Sequence, residues 1–146
     1  MKGAFVSASP WLPYYPRLLR KLVLTSKYST RSNNHNLPAK RCIAAGDRAY
    51  VVGTQDGGFP GMGFLIKGHM NGVWAHPIKL LDSYAFSFGG AAVPAAQNFT
   101  SGPGYVQMEL PQTNGVTITC TEFSPEGIPL VLVGLALNNT SGQVVK

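Results

Sequence analysis

The chain has 146 residues and a formal net charge of +6, with 45% hydrophobic and only 12% charged residues. This length allows one ordinary domain with or without a tail, and the apolar content excludes wholesale disorder. No apolar run is long enough to span a membrane as a helix. The 17 glycines and 11 prolines favour strands joined by turns over helices.

The positive charge is concentrated at the N-terminus. Residues 1–46 hold eight basic side chains and no acidic one, whereas residues 47–146 hold four basic and six acidic ones. We therefore predict a basic N-terminal extension over residues 1–46, disordered or weakly helical, joined to a folded domain over residues 47–146. Residues 29–36 are polar and rich in Ser and Asn, which predicts a linker.

The N-terminal extension leaves three roles open. Its segment Arg17–Leu24 is basic and amphipathic, but three prolines precede it and limit any helix to a few turns. The serine-rich, acid-free composition is typical of organelle transit peptides, and the basic and tyrosine residues of 14–41 would suit nucleic-acid binding. The third role is an extension without function. We expect no nucleic-acid partner, favour the cytoplasm, and leave targeting by residues 1–46 open.

The remainder of the chain is a series of short β-rich segments separated by Gly, Pro and Asn. The predicted strands cover residues 49–54, 64–67, 72–82, 84–89, 105–110, 116–123 and 129–137. Residues 55–63 and 90–104 are predicted as loops, and Pro77 belongs on an edge strand or at a bulge because it has no amide donor. With no helical pattern, this series predicts a mainly β protein, an antiparallel β-sandwich.

Two of the predicted strands have clearly different faces. Tyr84, Phe86 and Phe88 alternate with small residues and point to one side of their strand. In the strand over 116–123, threonines form one face and the other carries Val116, Ile118, Cys120 and Glu122. The first strand therefore has an aromatic face and a face of small residues, and the second has an apolar face and a face of hydroxyl groups.

The last predicted strand is followed by turn residues at 138–142, and residues 143–146 have the composition of another strand. A sheet protein does not usually stop at the start of a hairpin's second arm. We therefore expect a fragment of a longer protein, with a β-sandwich that is incomplete at its C-terminus.

The sequence contains no recognised catalytic, nucleotide-binding or zinc-binding motif. The GxG at 61–63 lacks the third glycine of a dinucleotide-binding turn. His69 and His76 have no carboxylate between them at a ligand spacing, so we predict no metal and no cofactor. Cys42 and Cys120 are interpreted as free thiols. No catalytic residue is assigned.

Two sequence blocks carry a resemblance to a known family. They are Gly46-Asp-Arg-Ala-Tyr-Val-Val-Gly-Thr-Gln-Asp-Gly-Gly-Phe-Pro-Gly-Met-Gly63 and Gly72-Val-Trp-Ala-His-Pro-Ile-Lys-Leu-Leu-Asp82. Residues 46–146 resemble the N-terminal region of bacterial glycogen-debranching-like proteins of the six-hairpin glycosidase class. The chain departs from that pattern at Asn71 and at Ser83-Tyr84, where Gly and Gly-Phe are usual. The resemblance implies a β-sandwich packed against an (α/α)6 barrel that carries the catalytic acid and base.

Within these blocks, the candidate substrate-binding residues are Asp56, Trp74, His76 and Lys79. Tryptophan can stack on a sugar ring, and the three polar side chains can bind hydroxyl groups. The competing interpretation is structural, with Trp74 in the core, Lys79 at a solvated edge and Asp56 in a turn.

The expected function is that of a non-catalytic sandwich fragment of a carbohydrate-active enzyme. Its partner would be an oligosaccharide or the (α/α)6 catalytic domain. The alternatives are a stand-alone carbohydrate-binding or interaction domain and, ranked below it, a basic nucleic-acid-binding protein that uses residues 14–41.

Overall fold

The structure, a computed structural model, describes residues 30–88 and 90–143. It is mainly β and antiparallel, as predicted. In chain order the elements are β1 (Arg31–Asn33), a 3-10 helix (Leu37–Ala39), β2 (Arg41–Ala45), β3 (Tyr50–Thr54), β4 (Gly72–Ala75), β5 (Ile78–Leu81), β6 (Ser87–Phe88), β7 (Ala91–Ala92), β8 (Asn98–Gly102), β9 (Tyr105–Glu109), β10 (Val116–Phe123) and β11 (Leu132–Asn139).

The strands form two main antiparallel sheets. The larger has the order β1-β8-β9-β10-β11, the smaller has the order β2-β3-β4-β5, and β6 pairs with β7 in a short hairpin. β10 and β11 pair along their whole length, from Val116 opposite Asn139 to Phe123 opposite Leu132. β5 and β11 are therefore edge strands, one in each main sheet.

The core lies between the two main sheets. The smaller sheet contributes inward side chains from β2, β3 and β4, and the larger sheet contributes them from β8, β9 and β10. The buried members on these strands are Ala44, Val51, Val73, Phe99, Val106, Met108 and Cys120, and Leu37 and Ala96 join them from the connecting segments. The alternation predicted for 116–123 is confirmed, because Val116, Ile118, Cys120 and Glu122 are the buried side of β10.

The first two strands lie inside the predicted N-terminal extension. The interpretation of residues 29–36 as a linker is wrong for β1, whose Arg31–Asn33 pair with Phe99–Ser101 of β8. β2 also precedes Gly46 and pairs with β3. Leu37 is 4% exposed and anchors the connection between them in the core, so the basic residues here are the exposed side of folded strands. The predicted helix at 17–24 lies outside the described residues.

Two of the strands predicted between β3 and residue 82 were wrong. Residues 64–67 form no strand, and their exposed turn closes with the His69 amide donating to the Ile66 carbonyl over 3.1 Å. The segment 72–82 is not one strand but the β4–β5 hairpin, with His76 and Pro77 forming its turn. A turn also tolerates the missing amide of Pro77.

The predicted loop over 90–104 contains β7 and β8, so that prediction was wrong. β8 is an interior strand between β1 and β9, and its Phe99 is 3% exposed. The alternation at 84–88 is confirmed, since Tyr84, Phe86 and Phe88 are half-buried while the residues between them are exposed. Only Ser87–Phe88 of this segment joins a sheet. The final strand lies slightly further along the chain than predicted and includes both Asn138 and Asn139.

Within residues 30–88 and 90–143, no helix has the length and apolar character required to cross a membrane. The strand predicted to begin at Gln143 falls on residues 144–146, which lie outside the described residues.

Candidate functional site

Trp74 lies on the outer face of the smaller sheet, because its neighbour Val73 points into the core. Tyr50, its cross-strand partner on β3, stacks parallel to it with ring centroids 6.2 Å apart. The His69 and Trp74 rings are T-shaped to each other with centroids 5.7 Å apart, and the Lys79 ammonium lies 5.6 Å from the indole centroid. The loop before β4 and the β5 strand thus enclose the indole.

Trp74 offers no open ring face to a sugar. Its residue surface is 9% exposed, and the neighbours just described occupy its surroundings. Sugar recognition by stacking needs an accessible aromatic face, so this geometry supports the structural interpretation of Trp74. The indole Nε1 is buried and has no hydrogen-bond partner among the described residues.

Lys79 holds the neighbouring loop against β5. Its Nζ donates to the carbonyl of Gly68 over 2.7 Å and pairs with the Asp82 carboxylate at 2.5 Å. Asn71 also links this loop to the end of β5, because its Nδ2 donates to the Asp82 carbonyl over 2.9 Å. His76 is exposed in the β4–β5 turn.

Asp56 lies away from this group. Trp74 pairs with the first residue of β3, whereas Asp56 follows the last residue, Thr54, by two positions. Four residues of strand separate those ends by about 13 Å. Asp56 Oδ1 accepts hydrogen bonds from Thr54 Oγ1 at 2.6 Å and from the Gly58 amide at 3.1 Å, which is the turn-forming role. The structure thus brings Trp74 and Lys79 together but not Asp56.

A second location combines a cavity with buried polar groups. The cavity has a volume of about 270 Å³ and lies between β9, β10 and the segments around residues 56–58, 84–86 and 92–96. Glu122 of β10 is 5% exposed, and the Tyr84 hydroxyl donates to its Oε1. Phe59 and Phe86 pack their rings against Tyr84, with centroid separations of 4.7 and 5.6 Å. A glutamate on an otherwise apolar face was the signal for this site, although its partner could not be read from the sequence.

The surroundings favour the uncharged forms of the groups at this cavity. Burial raises the pKa of Glu122, and the hydrogen bond from Tyr84 only partly offsets it. The pKa of Tyr84 is raised by burial and by the nearby carboxylate. Burial and the charge of Glu122 raise the pKa of the Cys42 and Cys120 thiols to about 12, so these thiols are poor nucleophiles. Both cysteines are free.

The chemistry of this cavity is binding chemistry. A carboxyl group and a phenol can exchange hydrogen bonds with a ligand, but no activated nucleophile adjoins them. Among the described residues there is also no group of three or more His, Cys, Asp or Glu side chains able to hold a metal ion.

Replacing Glu122 by Gln should remove a pH dependence of stability. The unfolded chain ionises this carboxyl near its ordinary pKa of 4.5, and the folded chain does so only at higher pH. Between those two values the folded state holds more protons, so the wild-type free energy of unfolding falls as pH rises above 4.5. We expect Glu122→Gln to lack this decline in urea titrations between about pH 4 and 8.

Glu126→Gln is the matched control, because Glu126 is exposed on the β10–β11 connection. It should retain the wild-type decline. Equal pH profiles for wild type and Glu122→Gln would contradict the role of Glu122. The thiols do not disturb this comparison, because their pKa values lie well above its pH range.

No protein-family model, curated protein or solved structure matches this chain.

Proposed function

We propose that this β-sandwich is a non-catalytic module of a carbohydrate-active enzyme of the glycogen-debranching-like, six-hairpin glycosidase class. Its role is to pack against an (α/α)6 catalytic barrel. The proposal is supported by the two sequence blocks at 46–63 and 72–82 and by the apolar side chains exposed in and beside them.

The observation that carries the proposal is a set of six large apolar residues that contribute nothing to the core. We call them the contact surface. Their exposed fractions range from 48% to 94%, and they are Phe64, Leu65, Ile66, Ile78, Leu80 and Leu81. Groups of apolar residues exposed on this scale are typical of interaction sites, whereas an ordinary protein surface exposes such residues singly.

The two parts of the contact surface are tied together. The Lys79 side chain donates to the Gly68 carbonyl and so holds the loop that follows the 64–66 turn near β5, on the face of the strand opposite to that of its neighbour Ile78. β5 is also an edge strand of the sheet, and no other strand within residues 30–88 and 90–143 pairs with its outer side. Burying each such side chain contributes about 1.5–3 kcal/mol, enough for several together to hold a domain interface.

An apolar partner surface agrees better with these residues than an oligosaccharide does. Sugar sites combine an open aromatic face with convergent polar groups. Here the aromatic candidate Trp74 is enclosed, and the exposed residues are mostly aliphatic. The module therefore acts through contact with a protein domain.

The test combines a genetic search with a binding measurement. Genomic and transcript sequence should reveal an (α/α)6 barrel, encoded beyond codon 146 or elsewhere in the same genome. Co-expressed with this chain, that barrel should co-elute with it in size-exclusion chromatography. The triple variant Phe64→Ser, Leu65→Ser, Ile66→Ser should weaken binding by at least about 30-fold, because it removes three apolar contacts.

Ile128→Ser is the control, since Ile128 is 50% exposed on the β10–β11 connection, outside the contact surface. It should bind the barrel as wild type does. The proposal fails if the genome encodes no such barrel, or if the triple variant and wild type bind it equally.

A further inference from the structure

The cavity beside Glu122 is separate from the contact surface. Its lining contains acidic side chains but no basic ones among the described residues. Asp56 and Glu122 both line it, together with the Tyr84 hydroxyl. No Lys, Arg or His side chain is among its described lining residues. An anionic ligand would therefore meet only acidic groups, whereas a cation would stabilise the ionised form of Glu122, which burial by itself disfavours, with no competing protein cation among the described lining residues.

Both carboxyl groups retain unused hydrogen-bonding capacity. Glu122 accepts from Tyr84 through Oε1, and no described residue donates to its Oε2. Asp56 likewise uses Oδ1 for its turn contacts, and no described residue donates to its Oδ2. Because Glu122 is 5% exposed, water cannot satisfy it as freely as it would a surface carboxylate. Glu122 Oε2 is not enclosed by protein, since it is not one of the buried side-chain atoms left without a partner, so it can accept a hydrogen bond from a donor that enters the cavity.

The rest of the wall is apolar. Phe86, Met108, Leu110 and Cys120 line the cavity, and short Ala and Pro side chains between 92 and 96 complete it. The volume of about 270 Å³ exceeds the roughly 150 Å³ of an engineered apolar cavity that accepts benzene. The space therefore suits a single aromatic ring or short aliphatic body with one small polar substituent.

We infer that this cavity binds a small apolar amine, with its ammonium group donating to Glu122 Oε2 and its body packed against Phe86 and Met108. The Tyr84 hydroxyl orients the carboxyl by occupying its other oxygen. Asp56 adds negative charge at the same wall. This inference does not depend on packing against a helical barrel.

Three ligands of nearly equal shape test the inference by calorimetry on the full chain. They are 2-phenylethylammonium, 2-phenylethanol and 3-phenylpropionate. We expect the ammonium to bind at least about tenfold more tightly than the alcohol, because a hydrogen bond to a charged group contributes more than a neutral one. The carboxylate should not bind.

Glu122→Gln should weaken ammonium binding by about tenfold and leave alcohol binding unchanged. Glu126→Gln should change neither. Circular dichroism establishes whether Glu122→Gln is folded, and if it is not, the order of the three ligands on wild type decides alone. The inference is overturned if the wild-type chain binds none of them, or binds the ammonium no better than the alcohol. It is also overturned if folded Glu122→Gln keeps the preference for the ammonium.

Discussion

Phe99→Ala is expected to lower the free energy of unfolding by about 3–5 kcal/mol. Phe99 lies on β8, is 3% exposed, and belongs to the core cluster between the two main sheets. Removing its ring loses the transfer free energy of the buried atoms and leaves a cavity that the two sheets cannot fully close. Urea denaturation followed by circular dichroism measures the loss.

Phe64→Ala is the control, because it deletes the same ring at a position that is 94% exposed. We expect it to change the stability of the isolated chain by no more than about 0.5 kcal/mol. If both substitutions cost the same, residues 98–102 are not an interior strand and the core described above is wrong.

Gly72→Ala is expected to cost at least about 3 kcal/mol. Gly72 begins β4 with a φ of 100°, a conformation that side chains rarely adopt. An added Cβ would also overlap the Leu81 carbonyl oxygen across the β4–β5 hairpin. The hairpin that carries Trp74 and half of the contact surface would therefore have to shift, and thermal unfolding should occur at a lower temperature.

Gly127→Ala is the control that distinguishes the cost of backbone strain from the cost of steric overlap between an added Cβ and neighbouring atoms. Gly127 also has a positive φ, of 79°, but no atom lies within 4 Å of a Cβ added there. Strain alone should cost about 1–2 kcal/mol. A Gly72→Ala variant no less stable than Gly127→Ala would contradict the close approach of β4 and β5.

Several strands follow directly from the sequence. β3, β9 and β10 lie where β-branched and aromatic residues or strict alternation predict them. The alternation in β10 even places Glu122 on the buried face. These segments were predictable because a two-residue period both defines a strand and marks its inner side.

Other strands depend on their partners. Asn98–Gly102 holds one large apolar residue among polar and small ones, which locally resembles a loop. It becomes β8 because β1 and β9 pair with it on both sides and Phe99 enters the core. β1 and β2 were hidden for a similar reason, since their exposed basic residues dominate the local composition. Pairing between distant segments leaves little trace in local patterns.

The candidate site likewise has features that the sequence predicted and features that depend on the tertiary structure. The sequence singled out Trp74 and Lys79, and the structure does place them in contact. It could not tell that Tyr50 and His69 would enclose the indole, because that depends on how the loop before β4 folds back. Asp56, from the other sequence block, was grouped with Trp74 as a candidate, but it lies beyond the opposite end of β3.

The sequence by itself determined the class of this protein, antiparallel and mainly β, and the face of each regularly alternating strand. Only the tertiary structure decided which apolar residues are covered. Leu80 and Val51 are equally plausible strand residues, yet one is 48% exposed and the other 1%. It also decided that Tyr84 meets Glu122 across 38 residues of chain. Periodicity records which way a side chain points, whereas burial and pairing depend on what the rest of the chain places opposite it.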